Sequence, residues 1–386
     1  MAMRRIVLGA VAAVVATAVA VAGYLLVHGD FQRWSDEAAL DGACDGLLDR
    51  NVVRDVLGPG TVEVEDPIHA LDRKAAEASG TDLVGCRVSV QDGGSAEIRV
   101  LDTTRAVQDL DNLYYRGTSD ELAVPVGHGW TGLFGAIPAR FGTEDPFEAG
   151  EDEEVTMSLV LRCARGSGPE SLSVTVGTIL DESPDDPAVR PEFARIATST
   201  AARVSKARHC GAELGKPVGS LDLPVREDEY EPLGTADGTC SGIPAARGVT
   251  TATETARGGA PHEMCRLGDA DRTTRYELEA DYGPYARERL YGYEEHRRRL
   301  GSEEAAPGSD TPAHHRDRYG RMSWTTAMCE DGRALFVLRP LDERYEKGKR
   351  LGPPSGEADL AYERAVLKAF AERSAKARGC SAPATS

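Results

Sequence analysis

The sequence predicts an α+β protein: an N-terminal transmembrane helix, then two tandem homologous domains, each an antiparallel sheet covered by helices and stapled by two disulfides. Three observations predict this class. An apolar run opens the chain, eight cysteines follow it in two groups of four, and the residues around the two groups repeat. Within each domain the predicted order is a helix or turn, strands, a helix, strands and a C-terminal helix.

The apolar run covers residues 6–27 and contains no charged side chain. At 1.5 Å per residue, a helix of this length is about 33 Å long and can cross a hydrocarbon core of about 30 Å. Arg4 and Arg5 precede the run, whereas mainly acidic residues follow it. The positive-inside rule therefore predicts a single-pass anchor in the cell membrane, with a cytoplasmic stub at 1–5 and the bulk of the chain outside the cytoplasm.

A cleaved signal peptide is the alternative to a retained anchor. Ala20-Val21-Ala22 resembles a small-residue cleavage site, and cleavage near Ala22 would give a secreted protein. The apolar run nevertheless continues through residues 23–27, beyond the core of about 7–15 residues that signal peptides have. We therefore favour retention, and both alternatives place the bulk of the chain outside the cytoplasm.

The formal net charge of the chain is −18, which argues against two classes of partner. An acidic surface repels the phosphates of nucleic acids and the headgroups of anionic lipids. We expect no nucleic-acid partner and no cofactor, and we expect contact with the lipid bilayer through the N-terminal helix.

All eight cysteines lie after the apolar run. An even number of cysteines in an exported chain indicates disulfides, and none of them shows the close pairing that zinc sites use. Four cysteines per group allow three connectivities, so the pairing is a hypothesis. The predicted pairs are Cys44–Cys86, Cys163–Cys210, Cys240–Cys265 and Cys329–Cys380.

The residues around the cysteines repeat in the same order, which indicates an internal duplication. Residues 41–47 match 237–243, residues 86–88 match 265–267, a Met-Ser pair precedes Cys163 and Cys329, and residues 206–210 match 376–380. The predicted segments are a stalk at 28–37, a first domain at 38–212, a linker at 213–233 and a second domain at 234–384.

Apolar periodicity predicts the elements of the first domain. Leu48, Val52 and Val56 recur every four residues and predict a helix, with Asp45 as its N-terminal cap and Gly58-Pro59 as its end. Residues 155–161 and 172–176 alternate as in half-buried strands, and the Gly-Ser-Gly-Pro at 166–169 predicts a hairpin between them. Pro191 opens a helix with this apolar face: Phe193, Ile196, Ala197, Thr200, Ala201 and Val204.

The second domain repeats the ending with Tyr362, Val366 and Phe370 on one helical face. It differs in the middle, where residues 285–300 predict a helix comparable in place with residues 103–116.

The pattern Cys44-x-x-Leu47-Leu48, a short helix ending Val56-Leu57-Gly58, and Cys86 in a strand resembles a known group. These are exported proteins and lipoproteins of unknown function from actinobacteria, which share a small α+β domain. This chain departs from the group in having Val88 where Trp is common and in lacking a lipid-modified cysteine. The resemblance implies an envelope protein without known catalytic residues.

Four short motifs suggest chemistry and lack the context that it requires. Gly127–Gly132 fits Gly-x-Gly-x-x-Gly but leads into a Gly- and Pro-containing stretch, so we expect a loop. His262-Glu263 lacks the second histidine of a zinc-protease helix, His314-His315 lies in a segment expected to be an exposed loop, and the acidic run 144–154 lacks calcium-site spacing. We predict no catalytic residue and no metal ligand.

The strongest functional feature of the sequence is a cluster of tyrosines and arginines, side chains that are favoured at interfaces and can stack on sugars. Helix-to-sheet packing explains most of them equally well. The candidate binding surface comprises Tyr282, Tyr285, Arg289, Tyr291, Tyr293 and Arg297.

These observations favour a non-enzymatic interaction module that binds another exported protein or a cell-wall component. The alternative is a cell-envelope hydrolase whose site is assembled from distant residues. A deep cleft between the domains with convergent carboxylates or a buried histidine would favour the hydrolase, and a filled interface would count against it. A sensor would require a membrane partner, because the cytoplasmic stub is too short for an output domain.

Overall fold

The computed structural model describes residues 30–66, 68, 70–106, 115–117, 121–138, 153–166, 168–300, 313–317, 320–341, 345–346, 349–350 and 357–384. The protein is α+β, with antiparallel sheets and four disulfides, as the sequence predicts. The predicted anchor lies outside the described residues. Among the helices that the structure describes, none has both the length and the apolar character that crossing a membrane requires.

The first half is built on a seven-stranded sheet of order β1-β2-β3-β8-β7-β6-β5. Its helices are α1 (Asp30–Gly42), α2 (Arg50–Leu57), α3 (Ala70–Ser79) and α4 (Arg190–Ala207). Its strands are β1 (Val62–Glu65), β2 (Leu83–Val90), β3 (Ser95–Asp102), β4 (Glu121–Leu122), β5 (Val124–Pro125), β6 (Gly132–Pro138), β7 (Glu153–Arg162) and β8 (Ser171–Ile179).

The second half has a seven-stranded sheet of order β10-β11-β12-β13-β16-β15-β14. Its helices are α5 (Pro284–Leu300) and α6 (Glu357–Ala377). The remaining strands are β9 (Val225–Arg226), β10 (Glu231–Pro232), β11 (Val249–Glu254), β12 (His262–Asp269), β13 (Thr274–Asp281), β14 (Ala313–Asp317), β15 (Gly320–Cys329), β16 (Gly332–Pro340), β17 (Tyr345–Glu346) and β18 (Lys349–Arg350).

One face of each sheet packs on a helix near the end of its half. In the first half, α4 begins at Arg190 with the predicted Pro191 in its first turn, and its predicted apolar face is buried against β7 and β8. In the second half, α6 buries Tyr362, Val366 and Phe370 against β13, β15 and β16. Each helix thus forms an apolar core together with its sheet. Burial of apolar surface in such a core is the dominant stabilising contribution to folding.

The cap of α2 differs from the prediction. Asp45 lies in a short 3-10 turn, Ala43–Gly46, with φ at 56°. The cap is Asp49, whose Oδ1 accepts from the backbone N–H groups of Asn51 at 3.0 Å and Val52 at 3.4 Å. Asp49 has an extended backbone, which directs its side chain to the free N–H groups of the first turn. The helix ends at Gly58, as predicted.

The prediction of half-buried strands is wrong for β7, where Glu154, Thr156 and Ser158 are buried opposite the apolar face, and for β8, in which both faces are buried. One face packs in the core of the first half, through Val174 and Val176. On the other face, Ser173 and Thr175 are also buried. Alternating apolar and polar residues show which side chains share a face of the strand, but they do not show whether the polar face is exposed. A face of small polar residues can still be covered by another element.

The segment predicted as a stalk packs against the first half, and the segment predicted as a linker contacts both halves. Helix α1 runs through the predicted stalk into the domain, with Asp36 buried and bound to Arg54 at 3.1 Å. In the linker, the Lys216 carbonyl accepts from Trp130 Nε1 at 2.9 Å. The linker strand β9 pairs with β4, and β10 pairs with β11. Both segments therefore have backbone and side-chain contacts with the sheets.

All four disulfides join the predicted pairs. Cys86 in β2 and Cys265 in β12 bind the turns that open the two halves. Cys163 follows β7, Cys329 ends β15, and their partners Cys210 and Cys380 lie just beyond α4 and α6. Each half is thus cross-linked at its first long strands and at its last helix.

Candidate functional site

Helix α5 lies between the two sheets and forms much of the junction of the halves. On one side, Ala286 and Leu290 pack on Trp324 and Val337 of the second sheet. On the other side, Tyr285 packs with apolar residues of the first half, Leu101, Tyr115, Ala123 and Leu133. Because α5 contacts both sheets, the interface is filled rather than open at this point.

The hydroxyl of Tyr285 is fully buried in the junction and has partners in the first half. It lies 3.0 Å from the carbonyl oxygen of Tyr115 and 2.9 Å from Ser158 Oγ. The carbonyl can only accept, so the tyrosine donates to it and Ser158 donates to the tyrosine oxygen. Burial raises the pKa of Tyr285 to about 12, which keeps this hydroxyl protonated at neutral pH.

Asp281 is the centre of a buried charge network beside the junction. Its carboxylate accepts from Arg289 Nη1 at 2.7 Å, and it also contacts Arg116 of the first half at 3.4 Å. Burial alone would raise the pKa of Asp281, but Arg289 and Arg116 outweigh it and hold that pKa well below its usual range. Arg116 also binds Glu288 at 2.8 Å and lies over the Tyr285 ring at 4.9 Å. The network therefore connects the halves electrostatically.

His262 is a buried histidine of the kind that a hydrolase would use. Its Nδ1 lies 2.8 Å from Asp281 Oδ1, and its side chain is 2% exposed. Nε2 has no hydrogen-bond partner among the described residues. The pair resembles the base and orienting acid of a catalytic triad, but Asp281 is also held by two arginines and His262 does not line the cleft described next.

A cleft of about 520 Å³ opens at the edge of the junction. It lies between the turn that joins β7 to β8, the turn that joins β15 to β16, and the start of α5. Its size is within the range of small-molecule and peptide sites. Its charged lining residues are Arg162, Arg165, Glu170, Arg287, Glu330 and Asp331. We call this site the junction cleft.

Ion pairs that cross between the halves occupy two of the three cleft arginines. Arg162 binds Glu330 at 2.8 Å and also Asp331. Arg287 binds Glu170 at 3.2 Å and donates to the Thr104 carbonyl at 2.9 Å. Within the described part of the chain, the exposed Arg165 has neither an ion pair nor a hydrogen bond. Its guanidinium is therefore the cation of the cleft that is open to a ligand.

The six residues of the candidate binding surface lie in different environments. Tyr282 is buried under Arg378, Tyr285 lies in the junction, and Arg289 is bound to Asp281. Tyr293 accepts from Arg339 at 2.9 Å, and Arg297 is half-buried. Of the six, Tyr291 is exposed, at 40%. Helix-to-sheet packing, the alternative interpretation of this cluster, accounts for Tyr282, Tyr285 and Tyr293.

The glycine motif and the histidine pair of the sequence lie in a turn and in a strand of the fold. Gly127, His128 and Gly129 all have positive φ and turn the chain between β5 and β6, so a strand and not a helix follows the motif. His314 and His315 lie in β14, not in a loop. Of the acidic run, residues 144–152 lie outside the described residues. Within the described parts, no cluster of three His, Cys, Asp or Glu side chains is arranged to hold a metal.

The last residue of the acidic run, Glu154, is a buried carboxyl in the first sheet. Burial, and then the nearby charge of Glu97, raises the pKa of Glu154 to about 8. Thr156 Oγ1 is 3.4 Å away, a long hydrogen bond that opposes the shift weakly. This carboxyl is therefore largely protonated at neutral pH, contrary to the expected solvated loop.

Sequence reasoning did not find the cleft residues. Arg162 and Arg165 flank Cys163 and the Gly-Ser-Gly-Pro hairpin, and Glu330 and Asp331 follow Cys329 directly. The sequence does contain one signal for them. The two arginines lie beside Cys163, the third cysteine of the first half, and the two acidic residues lie beside Cys329, the third cysteine of the second half. Opposite charges at matching positions would have suggested a contact between the repeats.

Comparisons with known proteins give no family for the chain. No protein-family model matches it, and no curated protein matches it. The crystal structure of DynU16, a protein in the dynemicin biosynthetic locus, has 13% sequence identity, and the match covers 81% of this chain and 97% of that chain. Its TM-score is 0.13, so this likeness carries no argument about fold or function.

Proposed function

We propose that the chain is a membrane-anchored envelope protein that works outside the cytoplasm as a non-enzymatic binding module. Its junction cleft binds another exported protein or a cell-wall component. The observation that carries the proposal is the cleft of about 520 Å³ with Arg165 open to a ligand, at the point where the two halves meet. Ligand-binding sites are usually concave and contain polar groups that fix the orientation of the ligand.

The location outside the cytoplasm is supported by the redox state of the cysteines. The structure contains four disulfides and, among its described residues, no free cysteine. Disulfides persist in oxidising compartments and are rare in the cytosol. The predicted membrane helix at 6–27 supplies the attachment, and α1 begins at Asp30, close to the end of that run.

The duplication of the domains is supported by the two sheets. Strands β1-β2-β3-β8-β7-β6 have the same order as β11-β12-β13-β16-β15-β14 when the disulfides are aligned. In the first sheet Arg87 faces Glu97 beside Cys86, and in the second Arg266 faces Glu277 beside Cys265. A shared order together with a shared register of charged pairs is expected for repeats of one ancestral domain.

The duplication explains why the binding site lies at the junction. The turns after β7 and β15 are equivalent in the two repeats, and both line the cleft. Both repeats contribute a turn to the cleft, so neither repeat forms it alone. Ligand sites are common at domain interfaces.

The charges of the cleft suggest which ligand group it recognises. Arg162 and Arg287 are already neutralised by carboxylates across the junction, whereas Arg165 is not. A guanidinium binds a carboxylate through two parallel hydrogen bonds. A guanidinium also binds phosphate in this way, and we propose a carboxylate because acidic protein segments and wall peptides both carry it.

Photo-crosslinking tests the proposal on the full chain in the cells that produce it. A photoreactive residue replaces Glu330 in the cleft, and a matched variant carries it at Glu372, an exposed glutamate on α6 away from the cleft. We expect a discrete adduct from position 330 and none from position 372. The adduct is expected to weaken when Arg165→Glu is added, because the cleft then repels a carboxylate.

The proposal fails if position 330 gives no adduct, or if both positions give the same adducts with Arg165 intact. The adduct's mass spectrum distinguishes a protein partner from a wall fragment. Fractionation of the same cells tests the location, since the protein is expected in the membrane fraction with its bulk accessible from outside.

A cell-envelope hydrolase remains the second candidate, because of His262 and Asp281. We rank it lower, since the pair is sealed in the filled part of the junction and Asp281 already binds Arg289 and Arg116. The hydrolase gains support if the purified chain cleaves wall material and His262→Gln abolishes cleavage while the protein stays folded.

A further inference from the structure

The charged side chains that line the junction cleft are divided unequally between the two halves. The six residues are, in chain order, Arg162, Arg165, Glu170, Arg287, Glu330 and Asp331. The first three belong to the first half and carry one surplus positive charge, and the last three belong to the second half and carry one surplus negative charge. The cleft is therefore neutral overall, with opposite signs on the sides that the two halves contribute.

Two carboxylates of the second half share one arginine. Arg162 lies 2.8 Å from Glu330 and also contacts Asp331, so one positive charge faces two negative charges. The Glu330 side chain is 77% exposed, and Arg333, the next arginine along the chain, does not line the cleft. If Asp331 keeps Arg162, the Glu330 carboxylate is left to meet a cation from outside the chain.

Arg165 is the corresponding unbalanced charge of the first half. The other ion pair across the cleft, Arg287 with Glu170, joins one charge of each sign and leaves none over. Arg165 is exposed and has neither an ion pair nor a hydrogen bond in the part of the chain that the structure describes. It lies on the turn after β7, and Glu330 lies on the turn after β15, so the cleft opens between the two unbalanced charges.

We propose that the ligand of the junction cleft is a short peptide that carries both a carboxylate and an ammonium group. Its carboxylate binds Arg165 through two parallel hydrogen bonds, and its ammonium group donates to Glu330. A ligand with one of these charges leaves the other charge of the cleft unmatched, so the pair of charges selects the ligand. The inference rests on the proposed function and narrows its ligand, because wall peptides and segments of exported proteins can carry both groups.

Binding of synthetic peptides to the purified full chain tests this inference by fluorescence anisotropy. The probe is a dye-labelled tetrapeptide with one lysine side chain and a free C-terminal carboxylate. Two matched peptides carry an acetylated lysine or a C-terminal amide, so each of them lacks one charge. We expect the dissociation constant to rise about threefold or more with each change, since contacts between partly exposed charges are modest. High salt is expected to reduce both differences, because it screens such contacts.

Two protein variants assign each charge of the peptide to its partner. Arg165→Gln is expected to remove the preference for the free carboxylate and to keep the preference for the free lysine. Glu330→Gln is expected to do the reverse, and Arg162 keeps Asp331 in that variant, so the turn retains an ion pair across the junction. Glu372→Gln, at an exposed glutamate of α6 away from the cleft, is the matched control and is expected to keep both preferences.

Two results overturn the inference, and they differ in what they leave standing. If acetylation of the lysine does not weaken binding, or if Glu330→Gln leaves that effect unchanged, Glu330 recognises no ammonium group, and the carboxylate site of the proposed function is unaffected. If none of the peptides binds, the inference fails. The proposed binding module then stands where position 330 still gives its discrete adduct in cells, and it fails as well where no adduct forms.

Discussion

The hydroxyl oxygens of Tyr285 and Ser158 lie 2.9 Å apart, although the residues belong to different halves of the chain. Tyr285 begins α5 of the second half, and Ser158 is in the middle of β7 of the first sheet. The contact lies in an apolar cluster with Leu101 and Leu133. A hydrogen bond in such surroundings has no water to replace a lost partner, so it couples the two halves.

Removing the Tyr285 hydroxyl is expected to destabilise the whole chain. Tyr285→Phe keeps the ring and leaves Ser158 and the Tyr115 carbonyl short of a partner. We expect the free energy of unfolding in urea to fall by about 1–2 kcal/mol. Ser158→Ala is expected to have a smaller effect, and the double variant is expected to show a coupling energy of at least about 0.5 kcal/mol.

Tyr291→Phe is the matched control for this prediction. It makes the same chemical change on the same helix, but at an exposed side chain. Its effect is expected to stay within about 0.5 kcal/mol. Equal effects at positions 285 and 291 would show that the junction hydrogen bonds contribute nothing to stability.

Asp281→Asn is expected to be more damaging, because Arg289 and Arg116 both lose a carboxylate partner at the centre of the network and keep Glu279 and Glu288, respectively. Breaking one partner of a buried ion pair typically costs about 3–5 kcal/mol. The lowered pKa of Asp281 means that the carboxylate contributes stability above the ordinary aspartate pKa and that this contribution is lost as pH falls. Urea unfolding at neutral and acidic pH is expected to show the variant and the wild type converging in acid.

Asp228→Asn controls for the loss of a negative charge at an exposed site, and its stability is expected to match the wild type. If Asp281→Asn unfolds at the same urea concentration as this control at neutral pH, the buried network is not a stabilising element.

Glu154 makes the opposite contribution to the dependence of stability on pH. Its pKa is raised to about 8, so between an ordinary glutamate pKa and that value the folded state holds a proton that the unfolded state has released. Stability at this site therefore decreases as pH rises through that interval, by up to about 1.4 kcal/mol per pH unit. Glu154→Gln removes the penalty, and we expect its melting temperature to exceed that of the wild type at pH 8.

The difference between the two proteins is expected to shrink as the pH falls to and below the ordinary glutamate pKa, where the unfolded state also takes up the proton. Glu182→Gln, at an exposed glutamate just beyond β8, is expected to leave the melting temperature at pH 8 unchanged. A Glu154→Gln variant that is less stable than the wild type at pH 8 would mean that the carboxylate has a stabilising partner.

The four disulfides are expected to differ in their resistance to reductant. Cys329 and Cys380 are both half-buried, whereas Cys240 and Cys265 are completely buried. Thiol–disulfide exchange requires access to a sulfur atom, so Cys329–Cys380 is expected to open first under mild reduction without denaturant. Timed alkylation and peptide mass spectrometry measure the order, and earlier labelling of Cys240 or Cys265 would contradict the buried placement.

Local patterns predicted much of the fold because they report local physics. The Cys163 and Cys329 segments matched in sequence and have matching disulfide partners, and Pro191 opened the helix that follows it. Asp45 has the residue type and the place of a cap, but it lies in a short turn, and Asp49 occupies the capping position. A choice between neighbouring caps depends on backbone angles that the sequence does not display.

The candidate site could not be found in this way, since its parts are distant in the chain. Arg162 and Glu330 are both ordinary exposed charges in the sequence, and only the packing of one sheet against the other brings them to 2.8 Å. In the same way, Tyr285 and Tyr291 are both tyrosines of one helix, and the first is buried solely because the first half covers that side of α5.

The sequence by itself determined the α+β class with antiparallel sheets, the two groups of four cysteines and the main helices, because periodicity and turn residues act over short distances. The tertiary structure decided which charged side chains are buried, which tyrosines lie at the surface and where a cleft forms. These depend on how α5 packs between two sheets, a long-range arrangement selected by the total free energy of burial and ion pairing and not by any single segment.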